Sequence, residues 1–191
     1  LDIPFHESSP KFDMSVLRRA VRSVAQRVPE DSLILVETTV PPGTCEKVLV
    51  PVLEEELERR GLTKQAVQLA HSFERVMPGT NYLNSITGIW RAYAGYTLEA
   101  ADACEEFLST IIDVKNFPLT RLSSMTASET AKVMENTYRA ANIAFIDEWT
   151  KYAEAVGIDL YEVIDAIRVR PTHSNIRAPG LGVGGYCIPK D

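Results

Sequence analysis

Four places in this 191-residue sequence combine side chains that do chemistry. One is the decapeptide GVGGYCIPKD, residues 182–191, in which Cys187 stands behind a run of glycines and ahead of Lys190 and Asp191. A nucleophilic thiol needs a cation to favour its thiolate, an open approach for the carbon it attacks, and an acid–base group nearby. The decapeptide carries a residue for each need. Lys132 and Asn136 are four residues apart, a spacing that puts both on one face of a helix. An ammonium and an amide together suit a developing oxyanion, and Glu129, three residues before Lys132, is placed to orient it. Glu74 follows one apolar run and Glu37-Thr38-Thr39 closes another, and α/β sheets place their ligands at such strand ends. Taken singly, each has a plain structural reading. Lys132 and Asn136 fit a solvated helix face, Glu74 and Arg75 a surface pair, Thr38 and Thr39 a strand that favours β-branching, and Cys187 a small buried hydrophobe. The combination is what points to thiol-based chemistry.

The elements around these residues follow from periodicity and punctuation. Residues 1–12 read as loop, and Asp13 then caps a helix whose apolar residues are Val16, Leu17, Ala20, Val21 and Val24. Leu33 to Val40 is a continuous apolar run that suits a strand of a parallel sheet, buried on both faces. Pro41-Pro42-Gly43 ends it. A helix is expected over Thr44–Arg60 with Gly61 as its stop, then strands at Ala66–Ser72 and Arg91–Tyr96. Thr97 caps a helix over Leu98–Ile111, and Val114–Leu119 reads as a further strand. This alternation implies an α/β layer with right-handed crossovers. From Thr126 to Val156 helical periodicity runs unbroken, too long for a crossover, and Tyr138, Phe145 and Trp149 on it could anchor an oligomer interface. Gly157 stops that helix, and Asp159 with Glu162 starts a shorter one reaching about Val169. Residues 168–191 are loop-like.

Composition narrows the function classes. A net charge of −6 with no basic stripe argues against nucleic-acid binding. No apolar run approaches the roughly 20 residues that span a bilayer. The reading is a soluble, cytoplasmic protein. Cys45, Cys104 and Cys187 are widely spaced, without the pairing of a zinc or redox motif, so no metal site is expected. No GxGxxG phosphate loop follows any strand.

In order along the chain, ETTVPPGT from Glu37, FERVMPG from Phe73, SETAKVMENTYRAANIAFIDE from Ser128 and PGLGVGGYCIPKD from Pro179 resemble the UDP-glucose/GDP-mannose dehydrogenase family. The resemblance covers nearly the whole chain, from Asp13 onward. It implies NAD-dependent oxidation of a UDP-sugar at carbon 6, from alcohol to carboxylate, in two hydride transfers. On that resemblance Cys187 is the nucleophile that forms a thiohemiacetal and then a thioester, and Lys132 and Asn136 hold the reacting oxygen. Glu74 is the acid–base or water-positioning carboxylate, with Thr39 and Asp191 around the water and Lys132. The expected cofactor contacts are Glu37, Thr38 and Thr39. The expected substrate contacts are Glu74, Arg75, Lys132, Asn136, Arg177 and Gly184.

The fold it implies is the C-terminal half of a Rossmann-like parallel sheet, residues 1–122, followed by an all-α central dimerisation domain with one long helix, residues 123–191. The phosphate-loop portion of the NAD domain and the C-terminal UDP-sugar domain fall outside the sequence, so the chain reads as a fragment, inactive alone and homodimeric through its helical domain. FERVMPG is closer to the PERxxPG of enzymes acting on UDP-N-acetylhexosamines, although Phe73 replaces the usual Pro. The CIPKD ending is that of the UDP-glucose and GDP-mannose groups. The reading leans to a UDP-N-acetylhexosamine, with UDP-glucose next. A truncated, non-catalytic dimerisation module and a single-step dehydrogenase are the alternatives.

Overall fold

The computed structural model describes residues 13–76 and 79–184. The chain forms two compact units, the first ending at Val133 and the second beginning at Met134.

The first unit opens with α1, Ser15–Ala25. Asp13 does not take the expected cap position, which falls to Met14, but its carboxylate accepts a bond from the Ser15 amide at 2.8 Å. Leu17, Val21 and Ala25 are buried because their four-residue spacing sets them on one stripe of the helix. β1 spans Leu33–Val36, half the expected length. Three of its four residues are only half-buried, so the strand is not covered on both faces as its apolar run suggested. The expected helix beyond it begins with a π-helical turn, Cys45–Leu49, and continues as α2, Val50–Arg59. β2 spans Gln68–His71, a single turn α3 spans Asn84–Thr87, and β3 spans Ala92–Gly95. α4, Leu98–Ser109, is capped as expected by Thr97, whose side chain accepts from the Ala100 amide at 3.1 Å. The last strand, β4, is Thr120–Arg121, later than the expected Val114–Leu119, because the chain turns at Asp113, whose carbonyl accepts from the Phe117 amide at 2.8 Å.

The four strands form one sheet in the order β1-β2-β3-β4. β1 and β2 pair in parallel, as do β3 and β4, which agrees with the α/β class. β2 and β3, however, pair antiparallel, Ala70 opposite Gly95 and His71 opposite Ala94. A parallel return needs a crossover that spans the sheet, usually a helix, and among the described residues of the β2–β3 connection the helix is the single turn of α3.

Alternation along β2 and β3 divides the core in two. Leu69 and Ala94 face a cluster built from α1 and α2, including Leu17, Val21, Leu53 and Leu57. Their neighbours Ala70 and Tyr93 face Ala101, Cys104 and Leu108 of α4. Each fully buried leucine contributes about 1.5–3 kcal/mol, so this two-sided packing holds the sheet that carries the site.

α5, Met125–Val156, starts in the first unit and runs 32 residues, as its unbroken periodicity predicts. In the second unit, Ile146 and Ala153 of α5 pack on Leu160 and Ile164 of α6, Leu160–Arg168. Asp159 caps α6 as expected, accepting from the Tyr161 amide at 2.8 Å. A short 3-10 turn at Pro171–His173 follows.

Candidate active site

The polar residues of the first unit gather where β1 and β2 end and where α5 begins. After β1 the chain passes Glu37, Thr38 and Thr39, and turns at Gly43, whose φ of +88° is one that glycine adopts without strain. The turn is held from α5. Glu129 is fully buried, and its two carboxylate oxygens accept from the Gly43 amide at 2.5 Å and the Cys45 amide at 2.7 Å. These are amides at the start of a helical segment, where no partner exists within the helix. Glu129 therefore does not orient Lys132, contrary to what its spacing suggested; the unpaired amides across the core claim both of its oxygens. A reciprocal bond runs from the Thr126 amide to the Glu46 carboxylate at 3.2 Å.

β2 delivers three consecutive residues to the site. His71 is buried, and its Nδ1 lies 2.8 Å from the Ser128 hydroxyl of α5. Burial holds its imidazole down at about 4; the Thr38 backbone pulls the other way and the Arg91 charge adds to the depression. Ser72 donates its hydroxyl to the Ala92 carbonyl at 2.9 Å, and its own carbonyl accepts from Arg91 at 2.8 Å. Phe73 is fully buried. Arg91, itself buried, also pairs with Glu37 at 2.5 Å, so one guanidinium ties the end of β1 to the end of β2.

Glu74 and Lys132 meet here. The Lys132 ammonium donates to the Glu74 carbonyl at 3.4 Å and stands 5.8 Å from the centre of the Phe73 ring. The Arg75 guanidinium lies over the same ring at 4.7 Å, and Arg75 also donates to the Trp90 carbonyl. The Glu74 carboxylate accepts from the Val76 amide. Partial burial raises its pKa, while the Arg91 and Lys132 charges oppose that rise.

The remaining predicted residues are placed as follows. Asn136 is half-buried on α5, in the second unit. Arg177 is exposed and borders a cavity of about 190 Å³ with Ile143, Ile146, Asp147 and Gly182, while Gly184 is exposed. Cys187 and Asp191 lie outside the described residues. The other two thiols are not candidates: Cys45 and Cys104 are buried, burial pushes Cys104 up to about 12 and raises Cys45 as well, and the neighbouring Glu129 carboxylate adds to the rise at Cys45. Among the described residues no group of three or more His, Cys, Asp or Glu could hold a metal ion, and no helix is long and apolar enough to cross a membrane.

Residues 2–92 match the NAD binding domain of the UDP-glucose/GDP-mannose dehydrogenase family, and residues 126–191 match its central domain. The chain belongs to that family. Among its relatives is the UDP-N-acetyl-D-mannosamine dehydrogenase of Pyrococcus horikoshii, 35% identical over 94% of this chain and 41% of the relative. The enzyme of the same name from Methanocaldococcus jannaschii is 32% identical over 97% of this chain and 40% of the relative. The solved structure of the Pyrococcus protein superimposes with a TM-score of 0.83 at 33% identity, covering 98% of this chain and 42% of that one. The chain thus spans about two fifths of the length of these relatives. Within the family's two matched domains, the contact between Glu74 and Lys132 joins a residue of the first to a residue of the second.

Several participants were not singled out from the sequence. Arg91 is a lone cation leading an apolar strand, and that is its only signal; His71 gives none beyond its place in β2. Ser128 opens the segment SETAKVMENTYRAANIAFIDE, and its hydroxyl carries no signal of its own there.

Proposed function

We propose that this chain carries the central catalytic residues of an NAD-dependent dehydrogenase that oxidises a UDP-sugar twice at carbon 6, from alcohol to carboxylate. The observation that carries the reading is the meeting of Lys132 with Glu74, 58 residues apart in sequence, beside the polar ends of β1 and β2. The favoured substrate is a UDP-N-acetylhexosamine, supported by the FERVMPG segment and by the relatives being UDP-N-acetyl-D-mannosamine dehydrogenases.

The described residues fit one wall of a dinucleotide crevice. Ligands of α/β sheets lie beyond the carboxyl ends of the strands, where Glu37, Thr38 and Thr39 stand. Two buried nitrogens near those ends, His71 Nε2 and Arg91 Nε, have no hydrogen-bond partner among the described residues. An apolar cavity of about 310 Å³, lined by Leu17, Val21, Ile34 and Val36, also reaches Glu37 and Thr38. When bound there, NAD supplies the hydride acceptor for each oxidation.

The chain's own residues do the rest. Glu74 takes the carbon-6 hydroxyl proton, and Lys132 and Asn136 hold the oxygen and stabilise its negative charge as the hydride departs. The Cys187 thiolate adds to the resulting aldehyde, forming a carbon–sulfur bond, and the oxygen takes a proton to give the thiohemiacetal. Loss of that proton and of a second hydride leaves a thioester. Water, positioned by Glu74, Thr39 and Asp191, then cleaves the carbon–sulfur bond, releasing the carboxylate and restoring the thiol. Burial makes the Glu74 carboxyl hold a proton more firmly than a free one, which favours an acid–base part. Arg75, Arg177 and Gly184 are assigned to the nucleotide sugar.

The test is stoichiometry with the intact protein: two NADH per UDP-N-acetylmannosamine consumed, with Cys187→Ser stopping turnover. One NADH per sugar would rule out the four-electron path, and none would overturn the assignment.

The partner we propose for the second unit is another copy of the chain. Met134, Tyr138, Phe145, Trp149, Tyr152 and Val156 are exposed and, at 100° per residue, fall in a stripe about 60° wide along α5. Their rings are in mutual contact, Phe145 to Trp149 at 6.3 Å and Trp149 to Tyr152 at 5.4 Å. Trp149→Glu should turn a dimer into a monomer in sedimentation equilibrium, and a monomeric wild type would exclude the assignment.

A further inference from the structure

The question left by Glu129 is what holds Lys132. Among the described residues its ammonium makes no ion pair, and its hydrogen bond to the Glu74 carbonyl is long, at 3.4 Å. Its other neighbour is the face of Phe73, 5.8 Å away. In this chain the ring is fully buried and therefore fixed, and it also carries the Arg75 guanidinium at 4.7 Å.

An aromatic face attracts a cation through its quadrupole and takes up none of its N–H donors. A carboxylate in the same place would occupy donors and neutralise the charge. Lys has three donors, and a residue meant to receive an oxyanion needs them free. We propose that Phe73 is a positioning residue whose ring face holds the Lys132 ammonium above the Glu74 carbonyl while leaving its other donors for the reacting oxygen. The catalytic consequence rests on the function proposed above; the contact itself does not.

The experiment has a structural arm and a kinetic arm, both on the intact protein. Reductive methylation with ¹³C-formaldehyde labels the lysines, and the Lys132 signal is identified by its loss in Lys132→Arg. A cation above a ring face is shifted upfield by the ring current, so this signal should stand upfield of the exposed lysines in the wild type and return toward them in Phe73→Leu. A wild-type signal among the exposed lysines would overturn the proposal, whether or not the variant folds. In the kinetic arm, phenylalanine carrying one, two and then three ring fluorines is incorporated at position 73, which weakens the quadrupole while nearly preserving shape. kcat should fall stepwise, with Tm level and KM changed less, and Phe73→Leu should lower it by about twofold to thirtyfold. An unchanged kcat across the fluorine series would overturn the positioning role. If the wild type oxidises no UDP-sugar, the function proposed above fails, and the position of the Lys132 signal alone decides whether the ring holds the ammonium.

Discussion

Glu129 and Lys132 lie three residues apart on α5 and are used in opposite ways. Both oxygens of Glu129 are taken by backbone amides of the Gly43 turn, whereas among the described residues the Lys132 ammonium makes one hydrogen bond, to the Glu74 carbonyl. The buried carboxylate thereby fixes the loop after Thr39 against the helix that carries Lys132. Glu129→Gln keeps the shape but turns an NH₂ group toward one of the two amides. The expected cost is about 1–3 kcal/mol, that of leaving a buried donor unsatisfied, read as a lower urea midpoint at unchanged slope. A midpoint equal to that of the wild type would show that water replaces the lost bond. Residue types singled out Glu74 and Lys132, because chemistry restricts which side chains can do it, and the fold brings those two together; Cys187 lies outside the described residues. Arg91 and His71 were not legible, because their partners are set by the β2–β3 register, and nothing local announces that His71 will lie opposite Ala94.

Elements were read best where the chain carries its own punctuation. Thr97, Asp159 and the unbroken run to Val156 placed α4, α6 and α5 within a few residues. The strands were read less well, since apolar runs do not mark where pairing stops: Leu33–Val40 was one run, yet only Leu33–Val36 pairs with β2. The junction of β3 and α4 shows a constraint that no periodicity carries. A methyl group built on Gly95 would lie 2.1 Å from the Ala101 nitrogen and 2.6 Å from the Thr97 carbonyl oxygen. These are backbone atoms of the α4 entry and cannot swing away. Gly95→Ala should therefore push α4 off β3 and part Tyr93 from Cys104 and Leu108, costing at least about 2 kcal/mol as overpacking does. Thermal unfolding checks it: Tm should drop by several degrees, while Gly61→Ala, where a methyl group meets nothing within 4 Å, would suffer only the strain of its φ of +72°.

For the molecule as a whole, the buried polar cluster that joins β2 to α5 makes stability depend on pH in a direction fixed by His71. Unfolded, its imidazole titrates near 6.5; folded, burial holds it at about 4. Above pH 6.5 both states are neutral there and the folded state bears no penalty. As the pH falls from 6.5 to 4 the unfolded chain takes up a proton that the folded one refuses, so stability declines by up to about 1.4 kcal/mol per pH unit. Below about 4 the folded state protonates as well, so the decline levels off. Glu74 runs the other way, because a carboxyl whose pKa is raised on folding gains a proton first in the folded state as the pH drops. That contribution is common to wild type and variant, so a comparison isolates the imidazole. His71→Asn retains an amide able to reach the Ser128 hydroxyl but does not titrate. Urea unfolding at pH 7.5 and at pH 4.5 should show the variant losing less stability than the wild type over that interval, by roughly 2–2.5 kcal/mol. Equal losses would mean that the imidazole is solvated or charged in the folded protein, and that the packing of α5 on β2 is not what makes the first unit acid-sensitive.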